Sequence, residues 1–203
     1  LTRADAIEEA ISAVLNGTAE NDVFNRLTVG VALSARDANL LRAFYRYLRQ
    51  AGISYTIYTV VDALDRAPDV TRALVTLFNT QHNPAFKGDR ARAVKAAEDA
   101  IRDGLAKVEA INDDRLLRLY HAALGAVLRT NAYAPAGAEA LAFKLDSAQV
   151  PGLPRPVPWR EVWIYSRRLE GIHLRAGPVA RGGIRWSDRR DDFRTEILGL
   201  MKA

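Results

Sequence analysis

The chain has 203 residues, 49% of them hydrophobic and 26% charged, a composition that allows one large or two small globular domains with a sizeable buried core. Its 29 basic and 24 acidic residues give a net charge of +5, and the two signs are interspersed, which disfavours a dedicated nucleic-acid-binding arm. The absence of cysteine excludes disulfides and thiolate metal sites, and no apolar run reaches the length of a membrane span.

Helical periodicity dominates the first 130 residues and predicts a bundle of five or six helices. Four of these helices are expected at residues 2–16, at 34–52, from Pro68 onward and from Asp89 onward. Another begins with INDDR at residues 111–115, and its apolar stripe continues to Leu128. The short apolar sequence FNRLTVGVAL at residues 24–33 fits either a strand or a buried loop.

After Asn131 the pattern changes to the alternation typical of strands. Strands are expected at residues 141–145, 161–166 and 171–176, after a connector at 150–159 that holds four prolines, and a final helix carries Phe193, Ile197, Leu198 and Met201 on one face. No strand is expected before about residue 139. The predicted fold class is therefore α+β. Residues 1–133 form a helical region, and residues 134–203 form strands, a proline-rich connector and a final helix.

The sequence GPVARGGIRWSDRRDDFR at residues 177–194 has more arginines than an ordinary surface loop requires. Gly182 and Gly183 have no Cβ, so their backbone is free to adopt positive φ and a ligand can approach it closely. Arg181 and Arg185 flank them, and a guanidinium is a planar fork that binds a carboxylate through two hydrogen bonds. Two interpretations stay open on these residues alone: a carboxylate-binding pocket at the turn, or a tight structural turn whose arginines pair with Asp188, Asp191 and Asp192.

The remaining residues that could carry chemistry point to structural roles. The three histidines, His82, His121 and His173, lack the spacing of metal ligands. The chain contains no P-loop, GxGxxG or GxSxG sequence, which excludes the usual nucleotide sites and the hydrolase nucleophile. The three tryptophans are expected in the core or at an interface: Trp159, Trp163 and Trp186.

Residues 168–203, RLEGIHLRAGPVARGGIRWSDRRDDFRTEILGLMKA, closely resemble the large bacterial NAD-specific glutamate dehydrogenases. Three upstream sequences are similar to the region that precedes the catalytic core in that family: LLRAFYRYLRQAGISYT, LRTNAY and LAFKLD with the following VPGLPRPVPWREVWIYS. The resemblance therefore covers most of the chain.

The resemblance implies oxidation of L-glutamate by NAD and water to 2-oxoglutarate, ammonium and NADH. In ordinary glutamate dehydrogenases a lysine precedes the two glycines and binds the side-chain carboxylate of the substrate. Arg181 stands at that place here, so the resemblance implies a substrate site of Arg181, Gly182, Gly183 and Arg185, whereas Lys202 is not equated with a substrate lysine. It also implies that the catalytic lysine, the catalytic aspartate and the NAD-binding domain lie outside this chain, so that the chain holds no catalytic residue and binds no NAD.

The chain is accordingly expected to be an inactive interior fragment. Its first residue is leucine, its single methionine is Met201, and its last residues are helical without a stop signal. The alternative is a helical oligomerisation or regulatory module with no catalysis of its own, while RNA binding through the basic segment is disfavoured by the mixed charges. The parent enzyme is expected to be a cytoplasmic homo-oligomer without nucleic-acid or membrane partners.

Overall fold

The computed structural model describes residues 3–179, 182–187 and 193–202. The helices are α1 Arg3–Leu15, α2 Leu27–Gly30, α3 Ala35–Gln50, α4 Ile57–Arg66, α5 Pro68–His82, α6 Arg90–Leu105, α7 Ile111–Gly125 and α8 Arg194–Lys202. The strands are β1 Val127–Thr130, β2 Leu141–Leu145, β3 Arg160–Tyr165, β4 Glu170–Arg175 and β5 Gly182–Ser187. This order, helices first and one antiparallel sheet after them, confirms the α+β prediction. Within the described ranges, no helix has the length and apolar character needed to cross a membrane.

The chain divides into two compact units. Unit 1 consists of residues 1–42 and 55–124, and unit 2 of residues 43–54 and 125–203. Helix α3 contributes its first half to unit 1 and its second half to unit 2.

Unit 1 is helical, and capping side chains at the ends of its helices explain several boundaries. Thr56 accepts a hydrogen bond from the backbone N–H of Thr59 at 3.1 Å and so begins α4. Asp89 begins α6 in the same way, through the N–H of Arg92 at 3.0 Å. Pro68 occupies the first turn of α5, as the sequence predicted. In α5, α6 and α7 most of the predicted apolar stripe is buried, with Leu74, Leu77, Ile101, Leu117 and Leu124 among the most enclosed side chains, whereas Ile11 and Leu15 of α1 are exposed.

The stretch predicted as a strand or buried loop at residues 24–33 is a 3₁₀ turn over Val23–Arg26 followed by the single turn α2. That prediction is wrong because the burial follows helical spacing, with Phe24, Leu27 and Val31 all fully buried. Asp22 starts the turn by accepting the N–H of Phe24 at 2.9 Å, a capping signal that the apolar run obscured.

The prediction that strands begin only after about residue 139 is also wrong. Helix α7 ends at Gly125, and Val127–Thr130 forms β1, antiparallel to β2. Asn131 holds the far end of this pair, since its side chain donates to the carbonyl of Ala140 at 2.9 Å and accepts from the N–H of Ala142 at 2.7 Å. The helical stripe could not show this change, because pairing with a strand that comes later in the chain decides it.

The sheet of unit 2 is antiparallel with strands in sequence order, β1-β2-β3-β4-β5. One face packs against the second half of α3 and against α8, where Trp163 is fully buried and donates its indole N–H to the carbonyl of Ala43 at 3.0 Å. Aromatic contacts continue this layer: Phe44 lies 4.9 Å from Phe143 and Tyr47 lies 6.0 Å from Trp163, measured between ring centroids. Strand β5 lies at one edge and is mostly exposed.

Candidate functional site

The predicted carboxylate-binding segment lies on strand β5 at the sheet edge. The prediction of a turn is wrong for its described part, because Gly182–Ser187 pairs with β4 along its whole length, from Arg175 opposite Gly182 to Glu170 opposite Ser187. Arg181, the residue expected to bind the substrate carboxylate, lies outside the described residues, as do Asp188, Asp191 and Asp192.

Close packing, and not positive φ, explains the paired glycines. Neither Gly182 nor Gly183 has positive φ. A Cβ on Gly183 would lie 2.5 Å from Cγ2 of Ile197 on α8, and a Cβ on Gly182 would lie 2.4 Å from Nε2 of His173 and 2.5 Å from the carbonyl oxygen of Leu174. All three distances are well inside van der Waals contact. The glycines let α8 and the neighbouring strand approach β5 closely, and Gly182 leaves bare, exposed backbone at the sheet edge.

Arg185 points to the face that α8 covers. Its Nε lies 3.3 Å from Oε2 of Glu196 on α8, and its side chain is 50% exposed. An ion pair that is this exposed contributes little to stability, on the order of 0–1 kcal/mol. Arg185 is therefore held loosely beside Gly183, with solvent access for an anionic ligand.

Two buried polar clusters lie behind this strand, and the sequence interpretation missed both. In the first, Nη1 of Arg194 lies 2.5 Å from Oε2 of Glu161, both side chains are fully buried, and Tyr47 donates its hydroxyl to Oε1 of Glu161 at 2.7 Å. In the second, Arg46 of α3 forms a salt bridge with Glu170 of β4. The signal was present in the strand alternation, because Glu161 shares its phase with the buried Trp163, which puts a carboxylate on the core face.

The environment of the first cluster shifts two pKa values. Burial, followed by the charge of Glu161, raises the pKa of the Tyr47 phenol well above its ordinary value. Burial lowers the pKa of Arg194, but the charge of Glu161 and hydrogen bonds with Glu161 and Tyr47 outweigh it, so that the net shift is upward. Tyr47 therefore stays a neutral donor and Arg194 a cation at any physiological pH.

The three histidines lie on three different elements. His173 is half-buried on β4 beside Gly182, His82 ends α5, and His121 on α7 lies 2.6 Å from a carboxylate oxygen of Glu98. Trp163 is in the core, as predicted. Trp159 lies beneath the guanidinium groups of Arg160 and Arg175, at 4.7 and 5.7 Å, and Trp186 is half exposed. Over the described ranges, no three His, Cys, Asp or Glu side chains come together as a metal site would require.

Comparisons of the whole chain with known proteins show one family of enzymes to which it is similar. The family model for the catalytic domain of bacterial NAD-glutamate dehydrogenase matches residues 100–203, and the model for helical motif 3 of glutamate dehydrogenase matches residues 19–84. The chain is 44% identical to the NAD-specific glutamate dehydrogenase of Pseudomonas aeruginosa over 98% of its length, and 45% identical to that of Halomonas elongata over 96%. It is 42% identical to that of Mycobacterium tuberculosis over 98%. It spans only 12–13% of the length of these curated relatives.

Proposed function

The chain belongs to the family of bacterial NAD-glutamate dehydrogenase catalytic domains, and from this premise we propose that it forms part of an enzyme that oxidises L-glutamate with NAD and water to 2-oxoglutarate, ammonium and NADH. Its relatives carry that enzyme name, and the identity to them extends over nearly the whole chain. In this proposal residues 1–133 are a largely helical region whose described strand is β1, and residues 134–203 begin the glutamate-binding domain.

The residues present do not fit NAD itself. The sheet of unit 2 is an antiparallel meander, whereas dinucleotide sites are built on parallel strands with a glycine-rich turn into a helix. The chain also lacks the GxGxxG sequence of such a turn. The proposal therefore assigns hydride transfer and its proton-transfer groups to other parts of the enzyme, and assigns substrate recognition to this chain.

We propose that Arg181, Gly182, Gly183 and Arg185 bind the side-chain carboxylate of glutamate. The observation that carries this assignment is the edge of β5, where Gly182 exposes its backbone to solvent. Beside it, Arg185 is half exposed and only loosely paired with Glu196. Arg181 directly precedes that edge in the sequence. A guanidinium next to bare backbone can bind a carboxylate with two charge-assisted hydrogen bonds.

Kinetics of Arg181 variants in an enzyme of the relatives' full length test the assignment. Removing a guanidinium that holds a desolvated carboxylate costs about 2–4 kcal/mol, because the partner charge is left unpaired. Arg181→Ala should therefore lower kcat/KM for glutamate by about thirty-fold to a thousand-fold, with KM for NAD unchanged. Arg181→Lys should recover part of the loss, because it restores the charge but not the fork.

A matched control and a second substrate sharpen the test. Arg168→Ala removes an exposed arginine from the turn between β3 and β4 and should leave glutamate kinetics unchanged. L-Norvaline lacks the side-chain carboxylate, so Arg181→Ala should change its kcat/KM far less than that of glutamate. Near-normal glutamate kinetics in Arg181→Ala would mean that this arginine has a structural role, and the proposed site would be wrong.

The alternative function, a helical module that joins subunits or relays effectors, also rests on an observation. Helix α1 exposes a line of apolar side chains, with Ile7 37%, Ile11 54% and Leu15 81% exposed, and such patches are typical of interaction surfaces. The two functions are compatible in one enzyme. The Arg181 kinetics separate them, because a chain that serves only as an interaction module predicts no loss of glutamate recognition.

A further inference from the structure

Glu161 and Arg194 form a buried ion pair between the sheet and α8, and burying the two charges costs desolvation free energy. Both side chains are fully buried, with Nη1 of Arg194 and Oε2 of Glu161 2.5 Å apart. Taking two charges out of water costs free energy that apolar side chains of the same volume would not, so a buried pair is weak support for stability as such. The better-attested use of such a pair is to select one arrangement of the elements that it joins.

The pair determines where α8 lies on the sheet. Glu161 on β3 is opposite Leu174 on β4, and Leu174 is opposite Gly183 on β5, so the three residues form one row across the core face. Arg194 of α8 is bound at the Glu161 end of this row. Three residues later, Ile197 lies where a Cβ of Gly183 would be. One turn of α8 thus spans the row from the ion pair to the glycine.

Further hydrogen bonds fix the orientation of the Glu161 carboxylate and the start of α8. The Tyr47 hydroxyl occupies the other oxygen of Glu161, at 2.7 Å. Just before α8, the N–H of Phe193 donates to the side-chain oxygen of Gln50 at 3.1 Å. A carboxylate held on both oxygens accepts Arg194 in a defined direction, whereas apolar side chains would allow α8 to slide.

We propose that Glu161 and Arg194 are positioning residues for glutamate binding: by fixing α8 on the sheet, they set the position of β5 and of Arg185 at the substrate carboxylate site. This inference rests on the proposed function. Its structural basis is that α8 contacts β5 at two places, Ile197 over Gly183 and Glu196 beside Arg185. A shift of α8 therefore moves both the backbone and the arginine of the site.

An apolar replacement of the cluster separates positioning from stability. In the full-length enzyme, the triple variant Tyr47→Phe, Glu161→Leu, Arg194→Met removes both charges and the hydroxyl while keeping most of the volume. It should unfold at a urea concentration no lower than wild type, because no buried charge is left unpaired. KM for glutamate should nevertheless rise about ten-fold, with kcat and KM for NAD changed less than two-fold. A purely structural pair predicts that glutamate KM returns to normal together with stability, and that result would overturn the inference.

Two further variants complete the design. Arg194→Lys keeps the charge but removes the guanidinium fork, and should raise KM for glutamate about three-fold or more with the fold retained. An unchanged KM also contradicts positioning. Asp22→Asn is the matched control, since Asp22 holds the buried Arg42 of unit 1 through contacts of 2.8 and 2.9 Å, whereas α8 belongs to unit 2. It should lower the free energy of unfolding without affecting KM for glutamate. A raised KM in Asp22→Asn would show that loss of stability alone disturbs the glutamate site, and the positioning role would then lose its support.

If Arg181→Ala impairs glutamate recognition and the triple variant does not, only the positioning role fails; if Arg181→Ala has no effect, the proposed site itself fails.

Discussion

Gly183 tests the packing of α8 on the sheet most directly. Gly183→Ala adds one methyl group at a point 2.5 Å from Cγ2 of Ile197. Ile197 is 1% exposed, so its side chain has little room to rotate away. The added atom must push α8 from β5 or force Ile197 out of its rotamer.

The expected cost follows from two opposing effects. Inserting a methylene-sized group into a packed core costs about 1–3 kcal/mol. Replacing glycine with alanine also removes freedom from the unfolded chain, which stabilises the folded state by about 0.4–1 kcal/mol. Gly183→Ala should therefore destabilise unit 2 by roughly 1–2 kcal/mol. Gly199→Ala in α8 is the control, because a Cβ at Gly199 meets no atom within 4 Å; it should stabilise the folded state by about 0.5–1 kcal/mol.

Tryptophan fluorescence during urea unfolding measures this effect in unit 2. All three tryptophans, Trp159, Trp163 and Trp186, belong to that unit. A double-mutant cycle with Ile197→Ala, which deletes the obstructing Cγ2, isolates the clash. Ile197→Ala alone should cost about 2–5 kcal/mol, and adding Gly183→Ala to it should cost nothing further. Additive effects of the two changes, or a Gly183→Ala variant as stable as wild type, would refute the packing geometry.

Two other predictions concern unit 1. Burial, and then the charge of Arg90, lower the pKa of His82 in the folded chain. The unfolded histidine therefore takes up a proton at higher pH than the folded one. The contribution of His82 to the free energy of unfolding is complete above about pH 6.5 and is lost as the pH falls below that value. The urea midpoint by circular dichroism should therefore fall between about pH 7.5 and 5.5, and it should fall less in His82→Gln. A fall in His82→Gln as large as that of the unchanged protein contradicts the assignment. Asp89→Ala removes the cap of α6 and should cost about 1 kcal/mol, with Asp89→Asn close to wild type, and an unshifted urea midpoint for Asp89→Ala would show that the cap is dispensable.

The α+β order could be predicted because each helix of unit 1 carries its own periodicity and, in several cases, its own cap. Pro68 and Asp89 mark helix starts with local chemistry alone. The errors arose where a distant partner decides the local structure. Val127–Thr130 continues an apolar helical stripe but pairs with β2, and Gly182–Ser187 contains turn residues but pairs with β4.

The candidate segment was chosen for its arginines and glycines, and the property expected of the glycines was the wrong one. Flexibility was the expected reason for Gly182 and Gly183, whereas the structure shows close approach by His173 and Ile197. Neither neighbour is close in sequence, so spacing alone could not reveal them. The Glu161–Arg194 pair was hidden for the same reason, although a glutamate in the buried phase of β3 is a sign that a buried cation is required.

The sheet of unit 2 consists of consecutive strands, but the helix that covers it is made much earlier: Arg46 and Glu170, which form a buried salt bridge, are 124 positions apart. During synthesis from the N-terminus, Phe44 and Tyr47 leave the ribosome long before the rings that they contact in β2 and β3. Throughout that interval this face of α3 is apolar surface without its native partner, the kind of surface on a growing chain that aggregates or binds chaperones. The rate of translation between α3 and β4 therefore sets how long the nascent protein is vulnerable.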